Sequence, residues 1–278
     1  MQLSDGIPVD SYGCTDIGHV RRTNQDQFLI AELHKVIDVT HTSIPEHYQQ
    51  RFSSGARALM LLVADGVGGI AGGEEASALT LDTVVGYVTN SMRCFYKLDH
   101  QVQQELMEEL ARLVEESDAA VRSEAKQTSH GTMATTLTMA HVLWPRAYVV
   151  QIGDSRCYHL RHESMVQVTK DQTMAQDLLE EGLLEPAQAD DSPLSDVLTQ
   201  AIGVGDGEVT AEISQVELES GDTLMLCTDG LTKHLNDQRI REVLTGAATA
   251  QTACESLLQE ALDGGGTDNT TVVVAAFR

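Results

Sequence analysis

The chain has few basic residues for its length. Its 278 residues include 18 Lys and Arg against 42 Asp and Glu, a formal net charge of -24. A field of that sign repels nucleic-acid backbones and anionic membrane surfaces, so we expect neither as a partner. It also repels phosphorylated substrates. A site that binds phosphate in this chain therefore needs bound cations or local arginines to reverse the field.

Cysteine is scarce and is not arranged for cross-linking. The five cysteines are odd in number and widely spread, at Cys14, Cys94, Cys157, Cys227 and Cys254. Most lie in apolar strings, which predicts reduced packing residues of a cytoplasmic protein rather than a disulfide framework. Zinc-like Cys/His spacing is absent, and His34, His41 and His47 do not have the spacing of metal ligands.

Long apolar runs and linkers are also absent. No run approaches the roughly 20 residues that span a membrane, and residues 1–5 lack the basic segment and apolar core of a secretory signal. No proline-rich or Gly/Ser-rich linker divides the chain. We therefore expect one domain over residues 1–278, with its core from about residue 10 onwards.

Apolar periodicity predicts the secondary structure. Strands are expected near residues 10–18, 26–31, 57–64, 133–142, 146–153, 155–160, 209–217, 222–229 and 270–277. Helices are expected at about 73–93, 100–127, 171–182, 237–245 and 249–262. An apolar stripe marks the second helix, which favours core packing over a partner-binding coiled coil because the repeat is short; its members are Val102, Leu106, Leu110, Leu113, Val114 and Val121.

The grouping of these elements predicts a fold class. Short connections between residues 132 and 168 predict antiparallel strand pairing rather than βαβ crossovers. Strands grouped apart from paired helices fit an α+β fold built as a helix-flanked β-sandwich. Residues 32–55 and 181–196 are polar or proline-containing and are predicted to be mobile loops. Each is either a lid or substrate contact or a surface insertion without a role.

Asp65, Asp229 and Asp268 are each placed where an apolar strand-like run meets glycine. Asp-Gly is the commonest turn dipeptide, so each aspartate alone is compatible with an ordinary turn. The runs at 58–63 and 223–227, however, predict buried strands that end at these carboxylates. Hard cations such as Mg2+ and Mn2+ prefer oxygen ligands. The three aspartates together predict one metal site at the strand ends.

Short motifs follow one another in a recognisable order. They are DIGHVRRTNQD at 16–26, DGVGG at 65–69, GTMATT at 131–136, GDSR at 153–156, DG at 229–230 and GTDN at 266–269. This order resembles the PPM-type, or type 2C, metal-dependent Ser/Thr protein phosphatases, in their compact bacterial branch. The resemblance implies a monomeric four-layer α-β-β-α sandwich, with two mainly antiparallel sheets flanked by helix pairs. Residues 32–55 would be a variable loop, and residues of about 171–200 the flap.

The same resemblance implies a chemistry. A water activated by two Mn2+ or Mg2+ ions would hydrolyse phosphoserine and phosphothreonine on proteins, reversing bacterial Ser/Thr kinase signalling. The partners implied are phosphorylated proteins and a cognate kinase. Asp65 would be shared by both ions, Asp229 and Asp268 would complete the first, and the Gly66 carbonyl would serve the second. Asp154 would hold a third, weaker ion; the alternative is that Asp154 only closes a turn.

Further residues take supporting roles in that pattern. Arg21 matches the arginine that grips two phosphoryl oxygens, although a surface arginine is the alternative because Arg22 follows it. Asp26 would orient metal-bound water or Arg21, and Asn269 would support the site beside Asp268. Arg156 is predicted to be structural, and Asp171 is predicted to cap the helix that follows; neither is assigned to catalysis.

The chain departs from the pattern at Gln25, where many relatives have glutamate, and at Val67, where some have histidine. The amide brings no negative charge to the second ion, and valine cannot transfer a proton, so water must be the general acid. These departures motivate one alternative, a catalytically weak relative that binds a phosphoprotein or a kinase. Another alternative is a phosphatase for small metabolites. A cysteine phosphatase is excluded because no cysteine has an arginine at the Cys-x5-Arg offset.

Overall fold

The structure is a computed structural model that describes residues 7–36, 53–67, 72–90, 100–128, 133–185, 188, 192–204 and 209–278. The strands in these ranges are β1 (Val9–Asp16), β2 (Gln27–Val36), β3 (Ser53–Ala64), β4 (Gly66–Val67), β5 (Ala134–Thr135), β6 (Leu137–Leu143), β7 (Arg146–Ile152), β8 (Arg156–Arg161), β9 (Ser164–Gln167), β10 (Glu212–Glu217), β11 (Thr223–Cys227) and β12 (Thr270–Phe277). The helices are α1 (Gly72–Asn90), α2 (His100–Gln127), α3 (Met174–Glu180), α4 (Asp229–Thr232), α5 (Asp237–Gly246) and α6 (Ala250–Asp263).

Two five-stranded sheets form the centre of the molecule. Their strand orders are β1-β12-β11-β8-β9 and β10-β7-β6-β3-β2, and β4 pairs separately with β5. Every pairing is antiparallel. The two sheets pack through a shared apolar layer that includes Leu59, Leu61 and Val63 of β3 and Leu226 and Val273 of the other sheet.

Each sheet is covered on its outer face by helices. On the β3 side, alternate residues such as Met60 and Leu62 pack with Leu106 and Leu110 of α2. On the β11 side, Met225 packs with Leu257 of α6 and with residues of α5. Central strands are thus buried on both faces, which explains their continuous apolar runs. The four-layer α-β-β-α sandwich is confirmed.

The α2 stripe packs as predicted. Leu106, Leu110, Leu113, Val114 and Val121 are fully buried, whereas the side chain of Val102 lies outside the described set. The stripe therefore belongs to the core and not to a coiled coil. The cysteines in the described ranges are unpaired thiols, and Cys94 lies outside those ranges. None of the described helices combines the length and apolarity needed to cross a bilayer.

Three local predictions are wrong. The loop expected at 32–55 is strand at both ends, because β2 continues to Val36 and β3 begins at Ser53; β2 is an edge strand, where polar residues face solvent. There, the imidazole of His34 pairs with Glu32 at 2.9 Å; His41 and His47 lie outside the described residues. Strand β9 was not expected either. It is also an edge strand, and its alternation of exposed and half-buried residues gives no continuous apolar run.

The third error concerns Asp171. The N-cap of α3 is Thr173, whose side chain accepts a hydrogen bond from the Gln176 amide. Asp171 instead receives hydrogen bonds from Arg156, with Nη2 to Oδ2 at 2.6 Å and Nε to Oδ1 at 2.9 Å. The Arg156 side chain is only 25% exposed, and a guanidinium in such a place needs a carboxylate partner more than the helix needs a second cap. Arg156 also donates to the hydroxyl of Tyr158 at 3.1 Å, and its assignment as a structural residue stays a prediction.

Candidate metal centre

Strand ends deliver the predicted carboxylates to one edge of the sandwich. Asp65 follows β3, Asp229 is the first residue of α4 just after β11, and Asp268 lies two positions before β12. Asp154 lies in the turn between β7 and β8 and is buried. Asp26 lies just before β2 and is 2% exposed. The sandwich therefore brings together five carboxylates that are far apart in sequence.

These carboxylates are poorly solvated and repel one another. Burial raises the pKa of Asp65 well above its usual value, and the charges of Asp26, Asp229, Asp154 and Asp268 raise it further. Burial and then the charge of Asp229 raise the pKa of Asp154 to about 8. Burial likewise raises the pKa of Asp229, against the attraction of a neighbouring lysine. The cluster is thus short of positive charge, which a divalent cation would supply.

Asp268 differs because two cations contact it. Arg21 donates from Nε to Oδ1 at 2.6 Å and from Nη2 to Oδ2 at 2.7 Å. Lys233 donates from Nζ to the same Oδ2 at 2.8 Å, and its Nζ lies 2.6 Å from Oδ2 of Asp229. Burial opposes ionisation of Asp268, but the hydrogen bonds from Arg21 and Lys233 outweigh it and lower its pKa.

Lys233 lies among these carboxylates, where the sequence had not led us to expect it. It follows α4 and is four positions after Asp229, so that one helical turn brings its side chain back to the carboxylate. That i,i+4 spacing was the available signal. A lysine at this spacing is common on solvated helix surfaces, so the spacing alone does not assign the residue to a site.

Asp26 is held by threonines. Its Oδ2 accepts hydrogen bonds from Thr228 Oγ1 at 2.8 Å and Thr271 Oγ1 at 2.7 Å. The Thr271 amide in turn donates to Thr228 Oγ1 at 2.9 Å. Burial raises the pKa of Asp26 to about 7, although both threonines lower it. Asp26 therefore ties the end of β11 to the start of β12, next to Asp229; these observed partners do not include Arg21.

Asn269 fastens the segment that carries Arg21. Its Nδ2 donates to the carbonyls of Ile17 at 2.9 Å and Thr23 at 3.0 Å, and its Oδ1 accepts from the Gln25 amide at 2.9 Å. Asn269 is 4% exposed, and these three side-chain hydrogen bonds all go to the segment of residues 17–25. Asn269 thus sets the path of the chain on both sides of Arg21.

Gly18 allows that loop to approach Asp268. Its φ is +76°, and a Cβ added there would lie 2.6 Å from the Gly266 carbonyl oxygen and closer still to that of Asp268. The next residue, His19, donates its amide hydrogen to the Gly266 carbonyl at 2.7 Å. A side chain at this position would push the Arg21 segment away from the aspartates.

Gly66 lies where β3, the Gln25 segment and the start of α1 meet. Its amide donates to the Gln25 carbonyl at 3.2 Å, and Ser77 of α1 donates to the same carbonyl at 2.7 Å. A Cβ on Gly66 would collide with the Gly73 carbonyl. Val67 is 37% exposed. Residues 68–71 and 131–132, which complete two of the motifs, lie outside the described residues.

A groove runs from these carboxylates beneath the predicted flap. It has a volume of about 1030 Å³. Asp154, Asp229 and Lys233 line it near the carboxylate cluster, and Thr173, Gln176 and Asp196 line it from the flap segment. The site is thus open to a substrate side chain rather than enclosed.

The residues present fit a hard divalent cation. Oδ1 of Asp229 is buried and has no hydrogen-bond partner among the described atoms, although a buried carboxylate oxygen normally has one. The donors are carboxylates, the ligands that Mg2+ and Mn2+ prefer. Over the described ranges, no group of three His, Cys, Asp or Glu side chains already has the spacing of a metal site. Arg21 and Lys233 draw the oxygens of Asp268 and Asp229 toward themselves.

Known proteins match both the sequence and the fold. A family model described as Protein phosphatase 2C matches residues 47–264. Protein phosphatase PhpP of Streptococcus pneumoniae is 30% identical over 264 residues, covering 95% of each chain. The crystal structure of the Mycobacterium tuberculosis serine/threonine phosphatase PstP/Ppp superposes with a TM-score of 0.78 at 29% identity, covering 98% of this chain and 99% of that one.

A second solved structure bears on the metal. It is the catalytic domain of the serine/threonine protein phosphatase PstP in complex with 2 manganese ions, with a TM-score of 0.75 at 28% identity, covering 97% of this chain and 98% of that one. The strand-end carboxylates, the four-layer fold and the match over most of the sequence agree. The chain belongs to the protein phosphatase 2C family and is a metal-dependent protein serine/threonine phosphatase.

Proposed function

We propose that Asp65, Asp229 and Asp268 hold two divalent cations, with the Gly66 carbonyl as a further ligand, and that Arg21 positions the phosphoryl group of a phosphoprotein. The proposal rests mainly on the crowding of buried carboxylates around Asp65. Among them, Asp229 has an oxygen, Oδ1, that finds no hydrogen-bond partner among the described atoms. Such a cluster is stable as anions only beside strong positive charge. The manganese complex of the PstP domain supports the choice of cation.

The protein residues have separable tasks. Bound divalent cations supply Lewis acidity that lowers the pKa of water and neutralises phosphoryl oxygens. Arg21 has a side chain that is 52% exposed while two of its nitrogens hold Asp268. Its planar guanidinium can therefore meet a phosphate arriving from solvent and hold it beside the carboxylates. Asn269 and Gly18 keep the arginine in that place.

Asp154 is proposed as the carboxylate of a third, weaker ion site. It is buried, and Asp229 contributes to the increase in its pKa, so the two carboxylates lie within electrostatic reach. A residue that only closed the β7–β8 turn would not need to be a buried acid. We further propose Mn2+ or Mg2+ as the ion, a single catalytic domain over residues 1–278, and a monomer in the cytoplasm that opposes a cognate Ser/Thr kinase.

Release of phosphate from a phosphothreonine peptide tests the proposal. The wild type is measured with Mn2+, with Mg2+ and with EDTA, beside Asp229→Asn and the control Asp263→Asn, a surface change at the end of α6. We expect turnover with either metal, none with EDTA, and a loss of at least about 100-fold in Asp229→Asn. Asp263→Asn should match the wild type.

Two other outcomes would favour the alternative functions. Tight binding of the phosphopeptide and of Mn2+ without turnover would indicate a catalytically weak regulator that acts by binding. Turnover of a sugar or nucleotide phosphate well above that of phosphopeptides would indicate a metabolite phosphatase.

A further inference from the structure

Lys233 sits among the carboxylates that the proposed function assigns to the metal. Its Nζ lies 2.6 Å from Oδ2 of Asp229, 2.8 Å from Oδ2 of Asp268 and 3.6 Å from Oδ1 of Asp196. An ammonium group has three hydrogens to donate and here faces three carboxylates. The side chain is 31% exposed, whereas those of Asp229 and Asp268 are 18% and 13% exposed. The lysine therefore covers the carboxylates from the solvent side.

The backbone fixes this arrangement. The Lys233 amide donates to the Asp229 carbonyl at 2.9 Å, which closes one helical turn at the end of α4. Side chains four apart on such a turn lie on the same face. Gly230 lets α4 pack directly on the Asn269 backbone, where a Cβ would collide with the Asn269 carbonyl. Lys233 is thus held over the site by the same short helix that supplies Asp229.

One carboxylate oxygen cannot serve the lysine and a divalent cation equally well. Like charges that share an oxygen repel each other at a few ångströms, and the surrounding burial weakens screening. At Asp229 a metal ion could use the free Oδ1, but Lys233 on the neighbouring Oδ2 would still repel it. At Asp268, Arg21 and Lys233 occupy both oxygens, so a metal ion there has to displace a donor. We therefore expect Lys233 to move away when a metal ion binds these carboxylates. Among the described ion pairs of Lys233, the one with Asp196 of the flap segment involves none of the three proposed core ligands, and the Asp196 side chain is 67% exposed.

Resting on the proposed metal function, we propose that Lys233 is a built-in counter-ion that competes with the metal for Asp229 and Asp268 and pairs with Asp196 of the flap once the metal has displaced it. The protein gains an ion pair that stabilises its metal-free form and lowers its metal affinity. Metal loading would then also strengthen the contact between α4 and the flap.

Calorimetric titration of Mn2+ into the EDTA-stripped, dialysed full chain tests this role. Lys233→Gln should bind Mn2+ about three- to tenfold more tightly than the wild type, since two partly exposed ion pairs no longer compete. Lys170→Gln is the matched control, because Lys170 also lines the groove but pairs with Glu180 at 2.6 Å. It should change the affinity less than about twofold. Lys233→Arg should keep the weaker, wild-type-like affinity.

Melting temperatures give a readout that needs no turnover. Without metal, Lys233→Gln should melt at a lower temperature than the wild type, and saturating Mn2+ should raise its melting temperature by more than it raises that of the wild type. Lys233→Met, which keeps the apolar stem, replaces the glutamine variant if the latter does not fold.

The remaining outcomes separate the counter-ion role of Lys233 from the proposed phosphatase function. Affinity in Lys233→Gln that is unchanged or weaker, or an equal tightening in Lys170→Gln, overturns the counter-ion role while leaving the phosphatase proposal intact. A wild type that binds no Mn2+ overturns both. A wild type that binds Mn2+ without hydrolysing phosphopeptide, together with tighter binding in Lys233→Gln, would retain the counter-ion and refute the proposed function.

Discussion

Arg21 and Asp268 lie 247 positions apart and are joined by two parallel hydrogen bonds of 2.6 and 2.7 Å. The same guanidinium is the proposed phosphate anchor, and the same carboxylate is a proposed metal ligand. Under the proposed function, the pair would link substrate binding to metal binding. Arg21 follows β1 and Asp268 precedes β12, and these two strands are hydrogen-bonded neighbours. Replacing either partner should disturb both functions.

Arg21→Lys should lower kcat/KM for a phosphothreonine peptide by about 30-fold, since lysine cannot form the two-point contact with a phosphate or with Asp268. The matched control is Arg22→Lys, which makes the same change at the next, exposed residue. Steady-state kinetics with saturating Mn2+ provide the measurement. Equal activities of the two variants would remove Arg21 from the site and restore the interpretation as a surface arginine.

Asn269→Ala should destabilise the protein and misplace Arg21 together. It removes the partners of the Ile17 and Thr23 carbonyls and of the Gln25 amide, at a cost of about 3 kcal/mol in the free energy of unfolding. KM should rise in the fraction that remains folded. Asn236→Ala removes the N-cap of α5 and should cost about 1 kcal/mol without changing KM. Urea denaturation and kinetics at low temperature separate the two effects.

Gln25→Glu should tighten binding of the second metal ion by about tenfold, because a charge replaces an amide next to Gly66. The added carboxylate would also lie near the start of α1, where negative charge is favoured. Gln251→Glu adds the same charge on the exposed face of α6 and is the control. Calorimetric titration with Mn2+ measures both. Identical isotherms for the wild type and Gln25→Glu would show that residue 25 does not act on the second ion.

His141 should make the fold sensitive to acid independently of the metal. It lies in β6, is 4% exposed, and burial lowers its pKa from 6.5 to about 4. The unfolded chain therefore binds a proton below pH 6.5 that the folded protein refuses down to about pH 4. The stability contribution is present above pH 6.5 and falls through this window, by about 3 kcal/mol in all.

Urea denaturation with EDTA at several pH values checks this dependence. His141→Gln should lose less stability than the wild type between pH 6.5 and 4, because glutamine does not titrate. The comparison is of slopes, so a constant packing cost of the substitution does not matter. Parallel pH profiles for the two proteins would show that His141 takes up its proton without unfolding.

The layers and the strand-end aspartates could be predicted because local pattern and global fold agree there. Strands β3 and β11 are apolar on both faces. Each is an inner strand of its sheet, with one face against the other sheet and one face against a helix layer. A central strand buried in this way has to end at polar residues, and Asp65 and Asp229 stand at those ends. Both runs are visible in the sequence without knowledge of their neighbours.

The contacts that organise the site could not be predicted in the same way. In the sequence, Lys233 cannot be told apart from an ordinary lysine on a helix surface. Its contact with the site carboxylates depends on the packing of α4 against the Asn269 backbone. Likewise, Asp26 receives its hydrogen bonds from Thr228 and Thr271, more than 200 residues away, after β11 and β12 have paired. The part of β2 after residue 31 and the whole of β9 lack a continuous apolar run, because both strands lie at sheet edges. These features arise from tertiary pairing, which a local pattern does not contain.

The most direct test of the metal assignment is an anomalous-difference map from crystals of the wild-type protein soaked in Mn2+. We expect manganese peaks within coordination distance of Asp65, Asp229 and Asp268, with the Lys233 ammonium moved away from Asp229. Peaks that contact none of these three aspartates, or no bound manganese in active crystals, would contradict the assignment.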